Sequence, residues 1–577
     1  MFAAWAIPCL FFLVSVCLPV GAAQESFVVR RNHRLGRRPQ EYGPAISSEE
    51  VEVNSPFFIE MPIDHFSNTT MNNISTFQNR YWINATYYEP GGPVFLFDSG
   101  EQDAAPLLPY YLQEFHGLSA TMRLAKRYKG IAILWEHRYY GQSLPFPVNS
   151  NTSSEEWQFL TTEQALEDVV FFANSFNSHA NASDVNDISD PLSLPLHPSI
   201  VPWVWLGGSY PGIRGSLLRV RNPETIFAVW ASSAPVQAQV DMASYYKAAE
   251  RSLTRNCSAD WVAVTKHVDE ILHGSNDTLR TETKFRLLKA RLSGPGGNTT
   301  GAEGLTMQQA NRTSNVNVAS ILMDPLDFYQ YYGFAASLLP FCNLLETRNF
   351  TLSPLEGGIT SSVEGRAGID QAFDAFLVAL AELDYDSIPF QDDPVTDRSW
   401  MRQYCSEYGF YQRGDPNNPL SIETSFLSLD LFQEQCNDAF ADHLPIWPQV
   451  ENVNKYGGWD MNVSNVLFTN GEFDPWRTMG LASIESNSPH REPSVIVPTC
   501  NVAPSFPSFF GLTHSNMVHV SDMRVLLVPD SNHSNFQTVG FYSPIAQEPF
   551  YAGLGLFQLA LDEWLPCFQS KEPLMKA

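Results

Sequence analysis

Trp205-Leu206-Gly207-Gly208-Ser209-Tyr210-Pro211-Gly212 is the stretch that decides the fold. It opens in Trp203-Val204-Trp205-Leu206, an aromatic and β-branched run that reads as a strand buried on both faces. It leads into residues 211–221, which read as a helix. A Ser on a tight strand-to-helix turn projects its hydroxyl at the carboxyl end of a sheet. The flanking glycines permit the strained backbone and a close approach of helix to strand. Pro211 stands where the common Gly-x-Ser-x-Gly pattern has its second Gly, and Pro suits a first helical turn because no intrahelical donor is needed there.

Working outward, residues 93–97, 130–135 and 227–230 are further short apolar runs that read as strands. Thr161–Asn177 reads as a helix with Thr162 as N-cap. Strands alternating with helices predict an α/β fold with a mostly parallel sheet. The alternation stops near residue 240, and residues 240–450 have a mainly helical pattern. Strand patterns resume at Val463–Phe468 and Met523–Val528. The expected organisation is a signal segment over 1–23, an N-terminal arm or pro-segment over 24–53, and a sheet domain over 54–239. A helical insertion over 240–450 and the second part of the sheet domain over 451–577 follow.

A Ser hydroxyl is a weak nucleophile until a base takes its proton. In an α/β-hydrolase sheet the chain order is Ser, acid, His. Val466 to Trp476 places Asp474 just after a strand, and Val525 to His533 places His533 just after another. The expected triad is therefore Ser209, Asp474 and His533, with His514 and His519 as competitors. The backbone N–H of Tyr210 and a donor from the Gly100–Glu101 loop would hold the oxyanion. Glu101, with Asp103 beside it, could bind a substrate amino terminus or donate a hydrogen bond when protonated, since paired carboxylates raise one pKa. No cofactor is expected, and no Cys spacing resembles a zinc site.

Composition narrows the setting. The 577 residues carry 62 acidic and 35 basic side chains, a formal charge of −27. That balance excludes a nucleic-acid partner, which needs a basic surface. With 44% hydrophobic and only 17% charged residues, the chain is not a disordered acidic protein. Residues 1–23 lack Asp, Glu, Lys and Arg and read as a secretory signal, with no stable membrane insertion expected once it is removed. Six Cys remain after it, and proximity suggests bridges Cys257–Cys342 and Cys405–Cys436. Asn-x-Ser/Thr acceptors at twelve positions, including Asn84 and Asn532, point the same way. Asn532 adjoins His533 and is expected to stay unmodified. The compartment implied is extracellular, or a vacuolar or lysosomal lumen. A peptide is the expected partner, and a homodimer is compatible with the chain.

Several motifs, in order, carry a resemblance. They are Glu136-His137-Arg138-Tyr139-Tyr140-Gly141-Gln142-Ser143, Leu160 to Leu166, the Gly-Gly-Ser-Tyr turn, Ser233-Ala234-Pro235-Val236, and Asn470-Gly471 leading to Asp474-Pro475-Trp476. Trp400 with Tyr404 to Gly409 and Tyr411-Gln412 completes the set. The chain resembles the Pro-specific serine peptidases, the family of lysosomal Pro-X carboxypeptidase, dipeptidyl peptidase II and fungal acid prolyl endopeptidases. The resemblance implies an α/β-hydrolase sheet with an inserted, mainly helical cap, serine-peptidase chemistry and a preference for Pro. Trp400, Tyr404 and Trp476 are candidates for the apolar slot that would hold the pyrrolidine ring. The chain departs from the family at Pro211, in Ser99-Gly100-Glu101-Gln102-Asp103, and around His533, where relatives carry Gly-x-His followed by Cys or His and then Asp-Leu.

Overall fold

The computed structural model describes residues 55–66, 75–113, 119–178, 190–294, 299–347, 358–362, 365–383, 393–415, 417–440, 444–523 and 544–569. The expected signal segment, the arm, and the glycosylation acceptors Asn68, Asn73, Asn181, Asn298, Asn349 and Asn532 lie outside those residues, as does His533.

The strands are β1 (Phe57–Pro62), β2 (Thr76–Asn84), β3 (Val94–Asp98), β4 (Ile131–Trp135), β5 (Trp203–Gly208), β6 (Ala228–Ser232), β7 (Gln239–Asp241), β8 (Gly409–Tyr411), β9 (Val466–Gly471), β10 (Glu492–Ser494) and β11 (Ser508–His514). Nine form one sheet in the order β1-β2-β4-β3-β5-β6-β9-β11-β10, and β7 pairs with β8 separately. The β1–β2 and β2–β4 pairings are antiparallel, and the other pairings of the large sheet are parallel. An antiparallel edge on a parallel sheet whose order reverses around β3 and β4 is the α/β-hydrolase arrangement, and the chain has that fold.

Alternation along the central strands explains the layers. Leu96, Ile133, Trp205 and Val229 enter the core on one face, while Phe95, Leu134, Leu206 and Trp230 enter the core on the other. Helices cover both faces: α1 (Ala120–Tyr128), α2 (Thr162–Asn174), α3 (Tyr210–Arg221), α4 (Arg255–His273), α5 (Pro394–Gln403) and α6 (Pro544–Trp564) are the ones used below. From α2, Leu166, Val169 and Phe172 pack on the first face with Ile213 and Leu217 of α3. From α1 and α6, Leu124, Phe557 and Trp564 pack on the second. Each such fully buried side chain stabilises the fold by about 1.5–3 kcal/mol. Thr161, one residue earlier than expected, caps α2 by accepting from the Gln164 N–H at 3.3 Å.

Between β7 and β9 the chain is mainly helical, forming the cap, with α4 and α5 among its helices. Cys257–Cys342 and Cys405–Cys436 are bridged within it, as proximity suggested. Cys500–Cys567 ties the segment after β10 to the end of α6. Asn84 is buried, and its amide nitrogen donates to the Leu112 carbonyl at 2.7 Å, so this acceptor is committed inside the fold.

The strand beside β9 is β11, Ser508–His514. The expected strand over Met523–Val528 falls, apart from Met523, outside the described residues, and Met523 itself lies in a turn.

Candidate active site

Ser209 sits between β5 and α3 at φ +64°, ψ −128°. That positive φ in a residue with a Cβ is strained, and the surroundings hold it there. The Ser209 N–H donates to the Ser232 carbonyl at 2.8 Å. On one side, Gly208 is pressed against Val520: an added Cβ would lie 2.5 Å from the Val520 Cγ1. On the other, Gly100, at φ +63°, is pressed against Pro211: an added Cβ would lie 2.2 Å from its Cγ. Residues 99–101 thus rest on the first turn of α3, where helical N–H groups lack intrahelical acceptors. The departure at Pro211 is therefore part of this contact.

Asp474 follows β9 and is fully buried. Its carboxylate accepts from the Trp476 N–H at 2.9 Å and from Asn470 Nδ2 at 3.4 Å. The His on this carboxylate is His519, whose Nδ1 lies 2.9 and 3.1 Å from the two oxygens. His533, the partner expected for Asp474, lies outside the described residues; among those described, both oxygens are engaged by His519, the residue before the Val520 that touches Gly208. Donation from Nδ1 directs the Nε2 lone pair away from Asp474, the tautomer a general base requires. The Val520 N–H donates to Ser233 Oγ at 2.8 Å, fixing this turn to the segment after β6.

His519 ends no apolar run, so strand pattern alone does not single it out. The signal that finds it is Asp522-Met523, an acidic and an apolar residue after the His, close to the pattern carried by relatives.

Glu101 is buried, and its Oε2 has no hydrogen-bond partner among the described residues. Burial pushes its pKa up to about 8, with the Asp98 charge adding to the effect. The expected neighbour, Asp103, instead pairs with Arg80 at 2.5 Å and accepts from the Ala105 N–H at 2.9 Å. Asp98 is itself raised by burial, although Arg214 at 2.6 Å opposes the shift. Glu136 anchors the same loop: it accepts from Arg80 at 2.5 Å and from the Ala104 N–H at 3.0 Å. The Glu136–Ser143 motif therefore supports the loop carrying Gly100 and Glu101.

Aromatic side chains surround the turn. The Tyr210 ring lies 5.4 Å from Trp400 and 5.6 Å from Tyr408. Trp476 lies 6.2 Å from the His519 ring and 5.1 Å from Phe410. Tyr404 packs behind them, 6.5 Å from both Trp400 and Tyr411. Gln403 Nε2 donates to the Tyr210 hydroxyl at 2.7 Å and its Oε1 accepts from Tyr140. The Tyr210 O–H donates to His137 Nε2 at 2.9 Å. Burial, with Arg214 nearby, holds His137 well below the usual imidazole range, so it stays neutral and accepts.

The family model for Serine carboxypeptidase S28 matches residues 61–291 and 372–503. The chain belongs to that family. This S28 chain is 27% identical over 454 residues to "Serine protease vicPb" of Bipolaris victoriae, covering 73% of this chain and 78% of that protein. It is 28% identical over 519 residues to "Probable extracellular serine carboxypeptidase" of Arthroderma benhamiae, covering 83% and 68%. The mouse "Thymus-specific serine protease" is 28% identical over 470 residues, covering 78% and 83%. Among solved structures, proline iminopeptidase of Mycobacterium smegmatis aligns at TM-score 0.30 and 10% identity, over 88% of this chain and 99% of that one. The family makes the chain a serine-type peptidase, a hydrolase.

Proposed function

We propose that Ser209, His519 and Asp474 form the catalytic triad of a secreted peptidase that cleaves after Pro. The observation that carries this is the Asp474–His519 pair, whose next residue, Val520, packs against Gly208 of the strained Ser209 turn. In this reading Ser209 Oγ attacks the peptide carbonyl carbon while His519 Nε2 takes its proton. The same nitrogen then gives that proton to the leaving amine, and Asp474 stabilises the imidazolium. Water, deprotonated by His519, hydrolyses the acyl-enzyme and frees Ser209. The Tyr210 N–H and the Gly100–Glu101 loop would hold the oxyanion. Glu101, neutral below about pH 8, supplies a buried O–H beside that loop.

Pro specificity rests on the walls. Trp400 and Tyr210 on one side and Trp476 on the other suit a compact, rigid ring, which gains apolar contact without losing rotamer freedom. Secretion is supported by the charge-free first 23 residues and by the extracellular relative's name. Among the described residues, no helix is long and apolar enough to cross a membrane.

Pro-containing peptides with free and blocked termini, cleaved and read by mass spectrometry, test the reading. Cleavage after Pro that needs a free carboxyl end would assign the carboxypeptidase mode, and need for a free amino end the dipeptidyl mode. Turnover of short-chain esters without any Pro peptide would overturn it in favour of an esterase. Fluorophosphonate labelling lost in Ser209→Ala is the expected result, and no labelling of wild type would indicate an inactive scaffold.

A further inference from the structure

Helix α5 has two working faces. Trp400 and Gln403 face Tyr210. Arg398 and Arg402, four residues apart and so on one side of the helix, line a cavity of about 420 Å³ on the other. Thr152 and Ser154 reach the cavity from one wall and Phe440 from another.

Arg402 is more than nine-tenths buried, yet it makes no hydrogen bond or ion pair among the described residues, and its Nε is unpartnered. Arg398 spends one nitrogen on the Ala439 carbonyl at 2.8 Å, and its Nε is also unpartnered. The Phe440 ring offers both a cation–π contact, at 5.0 Å from Arg398 and 5.7 Å from Arg402. That contact offsets only part of the cost of burying a guanidinium without a counter-charge. The strain shows in the charge state: burial lowers the pKa of both arginines, that of Arg402 to about 10. Buried arginines of the sheet domain are satisfied in one of two ways: Arg80 and Arg214 pair with Glu136 and Asp98, and Arg219 and Arg491 donate to backbone carbonyls, whereas Arg402 has neither among the described residues. The carboxylates at this cavity, Glu155 and Asp438, are exposed and form no ion pair with either Arg.

We propose that this cavity is a binding site for a small oxyanion, held by the guanidinium groups of Arg398 and Arg402. The Arg402 guanidinium and the remaining nitrogens of Arg398 present donors in the planar geometry that matches sulfate, phosphate or carboxylate oxygens. The site is separate from Ser209 and does not depend on the peptidase reading.

Thermal unfolding of the full chain tests it, with millimolar sodium sulfate compared against sodium chloride at equal ionic strength. Wild type should show a saturable rise in Tm of roughly 2–4 °C. Arg402→Met and Arg398→Gln should each lose the saturable part, leaving only the linear rise that an excluded salt gives any protein. Arg402→Met should also be at least as stable as wild type in chloride, because the unpaired buried charge is gone. Should Arg402→Met not fold, Arg398→Gln carries the test alone. A saturable rise that survives in both variants, or is absent from wild type, overturns the proposal.

Discussion

Two buried His–carboxylate pairs lie five residues apart in sequence near the carboxyl end of β11, and they differ in what surrounds them. In one, His519 Nδ1 meets both oxygens of Asp474, and the adjoining Val520 packs on the Ser209 turn. In the other, His514 Nε2 lies 3.1 Å from Asp522, whose second oxygen accepts from Ser232. His514 ends a strand, and Asp522 is held by groups of β6 and β9, so this pair braces the sheet beneath the turn. Charge and burial alone do not tell the pairs apart. What separates them is position: Asp474 directly follows β9, where the proposed triad needs its acid, whereas Asp522 binds inward to the strand whose carbonyl holds the Ser209 N–H.

The largest expected effect breaks the symmetry outright. Ser209→Ala and His519→Ala should each lower kcat by about 10⁴–10⁶ with little change in Tm, measured on a Pro-peptide substrate. Equal activity of His519→Ala and wild type would remove His519 from the triad. Asp474→Asn comes next, with a loss of about 10⁴, since it leaves the His without its orienting carboxylate. His514→Ala should do the reverse of His519→Ala. Its kcat should stay within about tenfold, while unfolding shows a loss of about 1–3 kcal/mol from leaving Asp522 Oδ2 without its His514 partner. If His514→Ala instead abolished turnover with Tm unchanged, the roles given to the two pairs would be exchanged.

The same contrast extends to pH. Asp522 is held below the usual carboxylate range, chiefly by His514 against the cost of burial, so its stabilisation is present above the unfolded value and fades as pH falls through the lower folded one. Glu101 has the opposite sign. Its folded pKa of about 8 exceeds its ordinary value of 4.5, so it stabilises fully below about 4.5 and loses that contribution as pH rises through 8. Glu250, Glu407 and Glu423 are also raised by burial. Tm should therefore be higher near pH 5 than near pH 8. Glu101→Gln should flatten the curve between those values, the smallest effect of the set. A curve that rises toward pH 8 would contradict the assignment of Glu101 as a neutral acid.

How much of this was legible in the sequence follows from where each element sits. The central strands β3, β4, β5, β6 and β9 are covered on both faces, so they read as continuous apolar runs. The Ser209 turn and Asp474 follow directly from such strands, and both were visible. The edge was harder. The β11 run Ser508–His514 contains polar residues and a Gly, and its neighbour β10 has only three residues, two of them exposed. Val525–Val528 is the stronger apolar run, and it drew the expected base to His533. Likewise Asp103 was the nearer carboxylate to Glu101 in sequence, but Arg80, twenty-three residues upstream, claims it.

The sequence by itself determined the family, the alternating sheet, the Ser209 turn and the placement of Asp474 after β9, because local pattern and motif encode groups that sit at the ends of buried strands. Only the tertiary structure decided which His meets Asp474, which group claims Asp103, and that Arg402 is buried without a counter-charge among the described residues. The His519–Asp474 and Arg80–Asp103 pairings join segments well separated in the chain. They depend on which groups are excluded from water together, a property of the packed molecule that no stretch of sequence carries alone.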